Sequence, residues 1–423
     1  MRYLNLLVEI CCSLALASGA GAASGDLDPT FGRGGVSVTS FGNDVRPIDA
    51  ALQADGKLIV VGGLNDFRTA TQLAVVIRFM PDGSPDESFG RHGVATDAVG
   101  NFINEAEAVV IQSDGKIVIL EQVLSANGSA NEFALVRFRA DGGRDSSFGA
   151  SGRSFLNFPH PAFFATSADV LVLQPNQAML VGGSVKAPRH NPTPTKTVLA
   201  RVAANGRPDG TFGTRGVADS VAIGVPEALA VLSDGTILGV NNRQQTAAFT
   251  SNGVLLPQVH GGLVSAATHR GTIAFRPDGD FLFAAGAPGP NGENDADVSV
   301  RLLESSGIVD PAFQSPVFDF GAGGPFANVA QAIAIGPTGE IAIGGLSQTP
   351  SFSDAFGMAL LTANGALEKR FAHGGRLTTS FPHGGQVLSV VVQPDGKILA
   401  IGQSFSSDTA IPVDLAVARY LTQ

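Results

Sequence analysis

The chain has 423 residues, a formal net charge of -10 and only 15% charged residues, and it contains 53 glycines, 24 prolines and no tryptophan. The negative charge and the lack of a Lys or Arg cluster argue against a nucleic-acid partner, because such binding depends on clustered basic side chains. The many glycines and prolines are typical of turns between apolar strands and predict an all-β protein.

Residues 1–22 have the pattern of a secretory signal peptide. Arg2 gives a basic start, Leu4 to Leu16 give a short apolar stretch, and Ala20-Gly21-Ala22 gives the small residues that precede a cleavage site. We therefore expect a secreted, periplasmic or cell-surface protein. Its mature chain, residues 23–423, is predicted to be one domain.

Both cysteines, Cys11 and Cys12, fall inside the predicted signal peptide. The mature chain would therefore have no disulfide, no thiolate metal site and no cysteine nucleophile. No later stretch reaches the roughly 18 uninterrupted apolar residues of a membrane helix, so no membrane span is predicted.

A nine-residue segment with an Asp-Gly-Lys turn between two apolar runs recurs along the chain. Its clearest copies are Leu52 to Val60, Ile111 to Ile119 and Val392 to Ala400. With weaker copies, the turn falls at positions 56, 115, 177, 235, 279, 339 and 396. The spacing is close to sixty residues except between positions 235 and 279. A fixed period of this kind indicates a repeat architecture with seven units.

Each unit contains the signals of four strands. Two apolar strands flank the Asp-Gly turn, which favours a tight hairpin. A third strand ends in Arg followed by an apolar residue, and a turn such as Asp82 to Gly90 leads into the fourth strand. The third-strand ends are Arg78-Phe79, Arg137-Phe138, Arg201-Val202, Arg301-Leu302 and Arg419-Tyr420. Seven such units predict a seven-bladed β-propeller of four-stranded blades.

The two chain ends carry complementary parts of one unit. Gly35 to Ser40 reads as a fourth strand with no first three, and Gly385 to Leu421 reads as three strands with no fourth. Pairing of the N-terminal strand with the C-terminal strands would complete the seventh blade. It would also remove an exposed sheet edge.

These motifs resemble the delta-60 repeat family, whose units carry a QPDGK-like turn, an ARY- or VRF-like strand end and an LDxSFG-like turn. The resemblance covers residues 26–421, with departures at Gln177, Phe313-Gln314 and Phe371-Ala372. The fourth interval lacks the Phe-Gly turn, so the blade boundaries between Val240 and Thr272 stay open. The resemblance implies an exported bacterial β-propeller-like protein and no defined activity.

The turns before the fourth strands share an aspartate and a phenylalanine. The aspartates are Asp28, Asp86, Asp145, Asp209 and Asp310, and the phenylalanines are Phe31, Phe89, Phe148 and Phe212. A carboxylate at this place can accept backbone N–H groups and fix the turn. Calcium is the alternative, but each turn supplies only one or two acidic ligands. The sequence therefore predicts no cofactor, with calcium kept open, and it predicts the phenylalanines as core between blades.

The connections on the two faces of the predicted disc differ in variability. The Asp-Gly and Phe-Gly turns lie on one face, whereas the connections on the other face vary, and variable loops on a rigid scaffold usually carry recognition. The variable connections include Leu64 to Ala70, Ser184 to Thr195, Ala287 to Asp297 and Leu346 to Asp354.

Polar side chains occur at matching places where each innermost strand is predicted to begin. These residues are Asp49, Glu107, Asp169, Glu227 and Gln331. We expect them at the mouth of the central channel, where converging carboxylates could bind a cation or a cationic ligand. The alternative is that they are solvated side chains near neighbouring loops.

Motifs of catalysis are missing from the chain. No two histidines lie four apart around a glutamate, and there is no Gly-x-Ser-x-Gly elbow or phosphate-binding loop. The sequence therefore favours a monomeric binding module that uses the variable face. Its partner would be an extracellular or envelope macromolecule or a small ligand. The alternative is a hydrolase or lyase with its site at the acidic channel mouth.

Overall fold

The computed structural model describes residues 23–423, except 42–43, 67–70, 100–102, 125–130, 157–163, 187–194, 257–271, 290–291, 315, 322–326, 352 and 406–412. The predicted signal peptide lies outside the described residues. The described part of the chain forms 27 strands in seven separate antiparallel sheets and contains no helix. Short apolar runs punctuated by glycine turns fold in this way because each hairpin closes locally.

The first three complete blades consist of strands that follow one another in chain order from the inside outward. Blade 1 has β2 (Asp44–Leu52), β3 (Leu58–Asp66), β4 (Thr71–Phe79) and β5 (Val94–Asp97). Blade 2 has β6 (Asn104–Ile111), β7 (Ile117–Leu124), β8 (Asn131–Phe138) and β9 (Arg153–Phe155). Blade 3 has β10 (Phe164–Leu173), β11 (Met179–Lys186), β12 (Lys196–Val202) and β13 (Val217–Ser220).

The remaining blades repeat this order, and blade 4 is the shortest. Blade 4 has β14 (Ala228–Val231), β15 (Ile237–Val240) and β16 (Thr246–Phe249). Blade 5 has β17 (Thr272–Phe275), β18 (Phe281–Gly289), β19 (Gly292–Leu303) and β20 (Val317–Phe318). Blade 6 has β21 (Asn328–Ile335), β22 (Ile341–Gln348), β23 (Asp354–Leu361) and β24 (Arg376–Thr379). The place of a fourth strand in blade 4 falls in residues 257–271, outside the described part.

Blade 7 joins the two ends of the chain, as predicted. It consists of β25 (Gly385–Val392), β26 (Ile398–Phe405), β27 (Val413–Tyr420) and, as its outer strand, β1 (Val36–Thr39). The register runs from Val36 opposite Ala418 to Thr39 opposite Leu415. The first strands of neighbouring blades contact one another around the whole ring. The chain is therefore a closed seven-bladed β-propeller.

The apolar core is divided among the blade interfaces. Seven clusters of buried side chains each lie between two neighbouring blades. The prediction for the recurring phenylalanines is confirmed, since Phe31, Phe89, Phe148 and Phe212 are each at most 2% exposed. Each ring packs on the turn glycine of the next blade. A Cβ on Gly83 would lie 2.7 Å from the Phe31 ring, so that turn requires glycine.

The third-strand arginines connect neighbouring blades, as Arg137 illustrates. Its Nε donates to Asp145 at 3.0 Å, and its guanidinium lies 4.6 Å from the centre of the Phe148 ring. Its Nη1 donates to the Ala204 carbonyl of blade 3 at 2.8 Å. Arg78, Arg201 and Arg419 repeat this arrangement. Each of these four arginines therefore pairs with a carboxylate of its own turn and with a carbonyl of the next blade.

Blade 5 departs from the arginine pattern. In blade 1, Arg78 of the third strand lies opposite Ile59. The corresponding residue of blade 5 is Leu302, which lies opposite Leu282. Arg301 therefore lies one position away from the place of the arginine. Here Arg276 of the Asp-Gly turn donates to the Ala363 carbonyl of blade 6. An arginine from the turn between β17 and β18 thus supplies the link between blades.

The recurring aspartates fix their turns through hydrogen bonds. Asp86 Oδ1 accepts the backbone N–H of Ser88 at 3.0 Å and its hydroxyl at 2.6 Å, and Asp28 binds Thr30 in the same way. Asp145, Asp209 and Asp310 also accept the N–H two residues on. Burial raises the pKa of Asp28 and Asp86, but these hydrogen bonds, together with the neighbouring Lys and Arg side chains, outweigh burial and lower both pKa values to about 2. The carboxylates therefore have the structural role that the sequence predicted.

Candidate functional site

The five residues predicted at the channel mouth lie on or beside the innermost strands, but most are not at strand starts. Asp49 is the sixth residue of β2, and Glu107 and Gln331 are the fourth residues of β6 and β21. Glu227 directly precedes β14. Asp169 belongs to β10, but its side chain lies outside the described residues.

β-Bulges explain why these positions recur. Glu107, Asp169 and Gln331 are each the extra residue at a register shift between the first and second strands. In blade 1 the extra residue is Ile48, and Asp49 follows it. A bulge leaves one residue outside the regular ladder. The repeat thus places a polar side chain at an irregular point of the inner wall.

Asp49 bridges two innermost strands. Its Oδ2 accepts the backbone N–H of Val109 in blade 2 at 3.0 Å, and its Oδ1 accepts that of Ala50 at 2.8 Å. Burial raises the pKa of Asp49 to about 6, although the two N–H groups act in the opposite direction. Gln331 joins the inner strands of blades 6 and 7 in a similar way, since its Nε2 donates to Gln386 Oε1 at 2.9 Å.

No common site formed by the predicted residues is evident. Among the described residues, no group of three His, Cys, Asp or Glu side chains is placed to hold a metal ion. Asp49 and Gln331 each contact a neighbouring blade, and Glu227 lies in a cleft between blades 3 and 4. Ligand binding at the channel mouth therefore remains a prediction.

The cleft that contains Glu227 has a volume of about 890 Å³ and lies on the variable-loop face. It arises from the short strands of blade 4. β15 and β11 both begin two residues after their hairpin turns, but β15 has four residues and β11 has eight. At about 3.3 Å per residue, blade 4 ends roughly 13 Å below blade 3 on this face.

The wall of the cleft on blade 4 is ordered by one amide side chain. Asn241 Oδ1 accepts the backbone N–H groups of Arg243 and Gln245, both at 2.9 Å. Its Nδ2 donates at 2.8 Å to the carbonyl of Ile223 and at 2.8 Å to Gln245 Oε1. Asn241 is buried, so these bonds hold the loop from 241 to 245 in a fixed shape.

The opposite wall of the cleft carries hydroxyl groups. Thr197 Oγ1 donates to the Gly224 carbonyl at 2.6 Å, which fixes the loop between blades 3 and 4. Ser167 Oγ and Ser184 Oγ lie 3.0 Å apart. Glu227, Asn242 and Arg243 are exposed on the lining. The cleft is thus rigid at its base and offers both acceptors and donors at its surface.

The sequence predicted this face but missed most of the lining residues. Asn241, Asn242, Arg243 and Gln245 were in the region whose blade boundaries stayed open, and only the short interval between positions 235 and 279 marked it. Ala287 to Asp297, predicted as a variable loop, is instead part of the β18–β19 hairpin, in which Ala287 pairs with Asp297. The strand ends that form this hairpin are rich in Gly, Pro and acidic residues, so the sequence pattern did not separate them from a loop.

The chain matches one family model, described as a domain of unknown function (DUF5122) beta-propeller, over residues 53–89, 112–148 and 393–423. These stretches contain the three clearest Asp-Gly turns. The match supports a propeller-repeat family. The narrower resemblance to the delta-60 repeat stays a prediction. No curated protein matches this propeller sequence.

Solved structures share the fold at low sequence identity. A structure of YCF48 bound to D1 peptide has a TM-score of 0.50 at 10% identity and covers 95% of this chain and 100% of that one. An α-L-arabinanase of Penicillium chrysogenum complexed with arabinobiose has a TM-score of 0.44 at 12% identity over 90% of this chain and 96% of that one. The α-L-arabinofuranosidase Arb93A of Fusarium graminearum has a TM-score of 0.44 at 10% identity over 95% and 98%.

At this identity the likeness shows the propeller fold alone. The described part of the propeller contains no helix long and apolar enough to cross a membrane.

Proposed function

We propose that this propeller is an exported binding module whose ligand, an exposed polypeptide segment, sits in the cleft between blades 3 and 4. The observation that carries this proposal is the cleft itself. It lies on the variable-loop face, it borders blade 4, whose described strands have four residues each, and its walls are fixed by buried hydrogen bonds. Rigid concave sites with a few directed polar groups are typical of ligand binding.

The chemistry of the lining favours a polypeptide. Carboxamides and hydroxyls can both donate to carbonyls and accept from N–H groups, which are the groups that a peptide backbone offers. Glu227 and Arg243 add one charge of each sign. None of the described lining residues is aromatic, whereas sugar faces pack well on aromatic rings. The peptide-bound YCF48 structure is a precedent for a peptide on a propeller.

The alternative function, a hydrolase or lyase at the channel mouth, has one observation in its favour. A carboxyl group whose pKa is raised to about 6, as at Asp49, is in the range of a general acid or base. Both carboxylate oxygens of Asp49 already accept backbone N–H groups, however. This geometry favours a bridge between blades.

The proposal is tested by selecting ligands on the mature protein. A phage library of random dodecapeptides is selected on the wild type and re-tested on Asn242→Ala/Arg243→Ala. We expect the double variant to weaken peptide binding at least about tenfold, because two hot-spot side chains of a small site commonly account for that loss. Both side chains are exposed, so the unfolding midpoint should stay unchanged.

The matched control is Glu87→Ala/His92→Ala on the opposite face, where both side chains are more than two-thirds exposed. It should bind like the wild type. A panel of soluble oligosaccharides is tested in parallel. Sugar binding that the cleft variant abolishes would retain a binding module but replace the peptide ligand. Ligands that bind all three proteins equally would contradict the cleft as the site.

A further inference from the structure

One buried position of the third strand carries a large apolar side chain in every blade except blade 3. It is the residue opposite the first residue of the second strand, as the pairs of Leu58 with Phe79 and Ile117 with Phe138 show. The occupants in the seven blades are Phe79, Phe138, Val202, Phe249, Leu303, Leu361 and Tyr420. All of them are buried, and Val202 is the smallest.

Tyr420 shows where the side chain at this position extends. Its ring belongs to the apolar cluster between blades 6 and 7, and its hydroxyl oxygen lies 2.8 Å from Thr379 Oγ1 at the end of β24. The ring therefore reaches the outer strand of the preceding blade. Val202 belongs to the corresponding cluster between blades 2 and 3, where Leu156 holds the place of Thr379. A valine side chain is too short to fill the same space.

A cavity of about 280 Å³ lies beside Val202. Its apolar lining includes Val217 of blade 3 and both Phe155 and Leu156 of blade 2. The Phe155 side chain is 39% exposed. An aromatic ring in the cavity would pack on Phe155, and aromatic pairs stabilise a complex beyond the area that they bury.

Both charged residues of the cavity lining are arginines, in a chain whose net charge is -10. Arg201 is already paired, since its Nε donates to Asp209 at 2.8 Å and its Nη1 donates to the Ser251 carbonyl. Arg215 is exposed, and within the described part of the chain its guanidinium takes part in no hydrogen bond or ion pair. A free guanidinium of this kind fits a carboxylate.

We propose that this cavity binds a small aromatic carboxylate, with the ring beside Val202 and Phe155 and the carboxylate on Arg215. The ligand ring would occupy the space that the chain fills with its own Tyr420 ring in blade 7. The volume is close to the lower limit of ligand pockets, roughly 300 Å³, and so suits one ring with a short acidic chain. The cavity shares no lining residue with the cleft between blades 3 and 4, so this site is independent of the proposed peptide site.

The probe for this site is 3-phenylpropionate, titrated into the wild-type protein and followed by NMR. We expect a dissociation constant in the low millimolar range or tighter, as fits a ligand of about eleven non-hydrogen atoms. The ring protons should show nuclear Overhauser effects to the methyl groups of Val202 and Leu156. The uncharged analogue 3-phenylpropanamide should bind roughly three- to fivefold more weakly, because it lacks the ion pair with Arg215.

Two variants separate the ring from the carboxylate. Val202→Phe places in blade 3 the ring that blades 1, 2 and 4 have, and it should weaken binding at least about tenfold because a close-packed interior leaves no room for a second ring. Arg215→Ala should weaken binding of the acid roughly three- to fivefold and remove the preference for the acid over the amide. The matched control is His92→Ala, at the same turn position of blade 1, which should bind the acid like the wild type.

Should Val202→Phe fail to fold, as judged by circular dichroism, Val202→Leu narrows the same cavity with the side chain that blades 5 and 6 have there. It should weaken binding at least about threefold. A wild type that does not bind 3-phenylpropionate would overturn the proposal, and so would unchanged binding in the folded Val202 variant. Equal affinity of the wild type for the acid and the amide would overturn a carboxylate ligand.

Discussion

Individual polar side chains connect neighbouring blades, in addition to the apolar clusters between the sheets. Arg137 contacts a carboxylate and a ring of its own blade and a carbonyl of the next. A buried charged group is tolerated only when its hydrogen bonds are supplied. At four interfaces the same motif supplies the buried arginine with a carboxylate, an aromatic ring and a carbonyl of the next blade.

A second buried cluster lies between blades 1 and 2. Asp97 at the end of β5 accepts hydrogen bonds from Arg144 and, at 2.8 Å, from Arg153 Nε. Glu121 of β7 lies beside Asp97 and is fully buried. Burial, with the negative charge of Asp97 as a further cause, raises the pKa of Glu121 to about 9. Glu121 is therefore protonated at neutral pH.

This cluster gives a pH dependence with a definite sign. The pKa of Glu121 rises on folding, so its contribution to stability is fully present below the unfolded pKa of 4.5 and is lost as the pH rises toward 9. Glu121→Gln removes the titration. We expect it to be more stable than the wild type at pH 8.5 by at least about 1 kcal/mol, measured by urea unfolding.

The difference between Glu121→Gln and the wild type should shrink as the pH falls to 5. The control is Glu87→Gln, whose side chain is 71% exposed and which should follow the wild type at every pH. A Glu121→Gln protein that keeps the slope of the wild type between pH 5 and pH 8.5 would contradict a protonated Glu121.

At the scale of elements, the turns are the units that the repeat preserves. Gly115 and Gly142 both have a positive φ, +80° and +84°, but their surroundings differ. A Cβ on Gly115 would meet nothing within 4 Å, whereas a Cβ on Gly142 would lie 2.6 Å from the Gly90 nitrogen. That nitrogen donates to the Asp141 carbonyl at 2.8 Å and connects blades 1 and 2.

These two glycines form a matched pair for mutation. Gly115→Ala should cost about 1 kcal/mol, because an L-residue is strained in this backbone region. Gly142→Ala should cost at least about 1 kcal/mol more, because the new methyl group also displaces the bond between the blades. Urea unfolding of both variants measures the difference, and equal costs would show that the Gly142 turn does not couple the blades.

The sequence predicted the strands and turns more fully than the contacts between blades. The hairpins, the seven units and the inter-blade phenylalanines were readable because each depends on residues close in sequence or on the period. The cleft depends on blade 4 being short relative to blade 3, and the fourth interval only marked the region as uncertain. The contact of Asp97 with Glu121 joins two blades and has no local pattern. The place of Arg301 in blade 5 was misread because this arginine lies one residue earlier in its strand than Arg78 does in blade 1.

At the scale of the whole molecule, the ring separates two kinds of surface. The face with the fixed turns carries the Arg-Asp-Phe contacts and the joined chain ends, and the opposite face carries the cleft. β1 pairs with β27 in blade 7 and leads along the chain into blade 1, so it holds these two blades together. The pairing also covers the edge of β27. A rigid ring whose variable-loop face carries a cleft is well suited to a binding module.

Hydrogen exchange of the mature chain tests the closure of the ring most directly. The amides of β1 (Val36–Thr39) that bond to β27 should be protected to within about tenfold of those in β26, because these ladder bonds join them to the same cooperative sheet. Removing residues 23–41 should expose the amides of β27 and leave those of β7 protected. Exchange of residues 36–39 at the rate of an unstructured peptide would contradict a ring closed by its two ends.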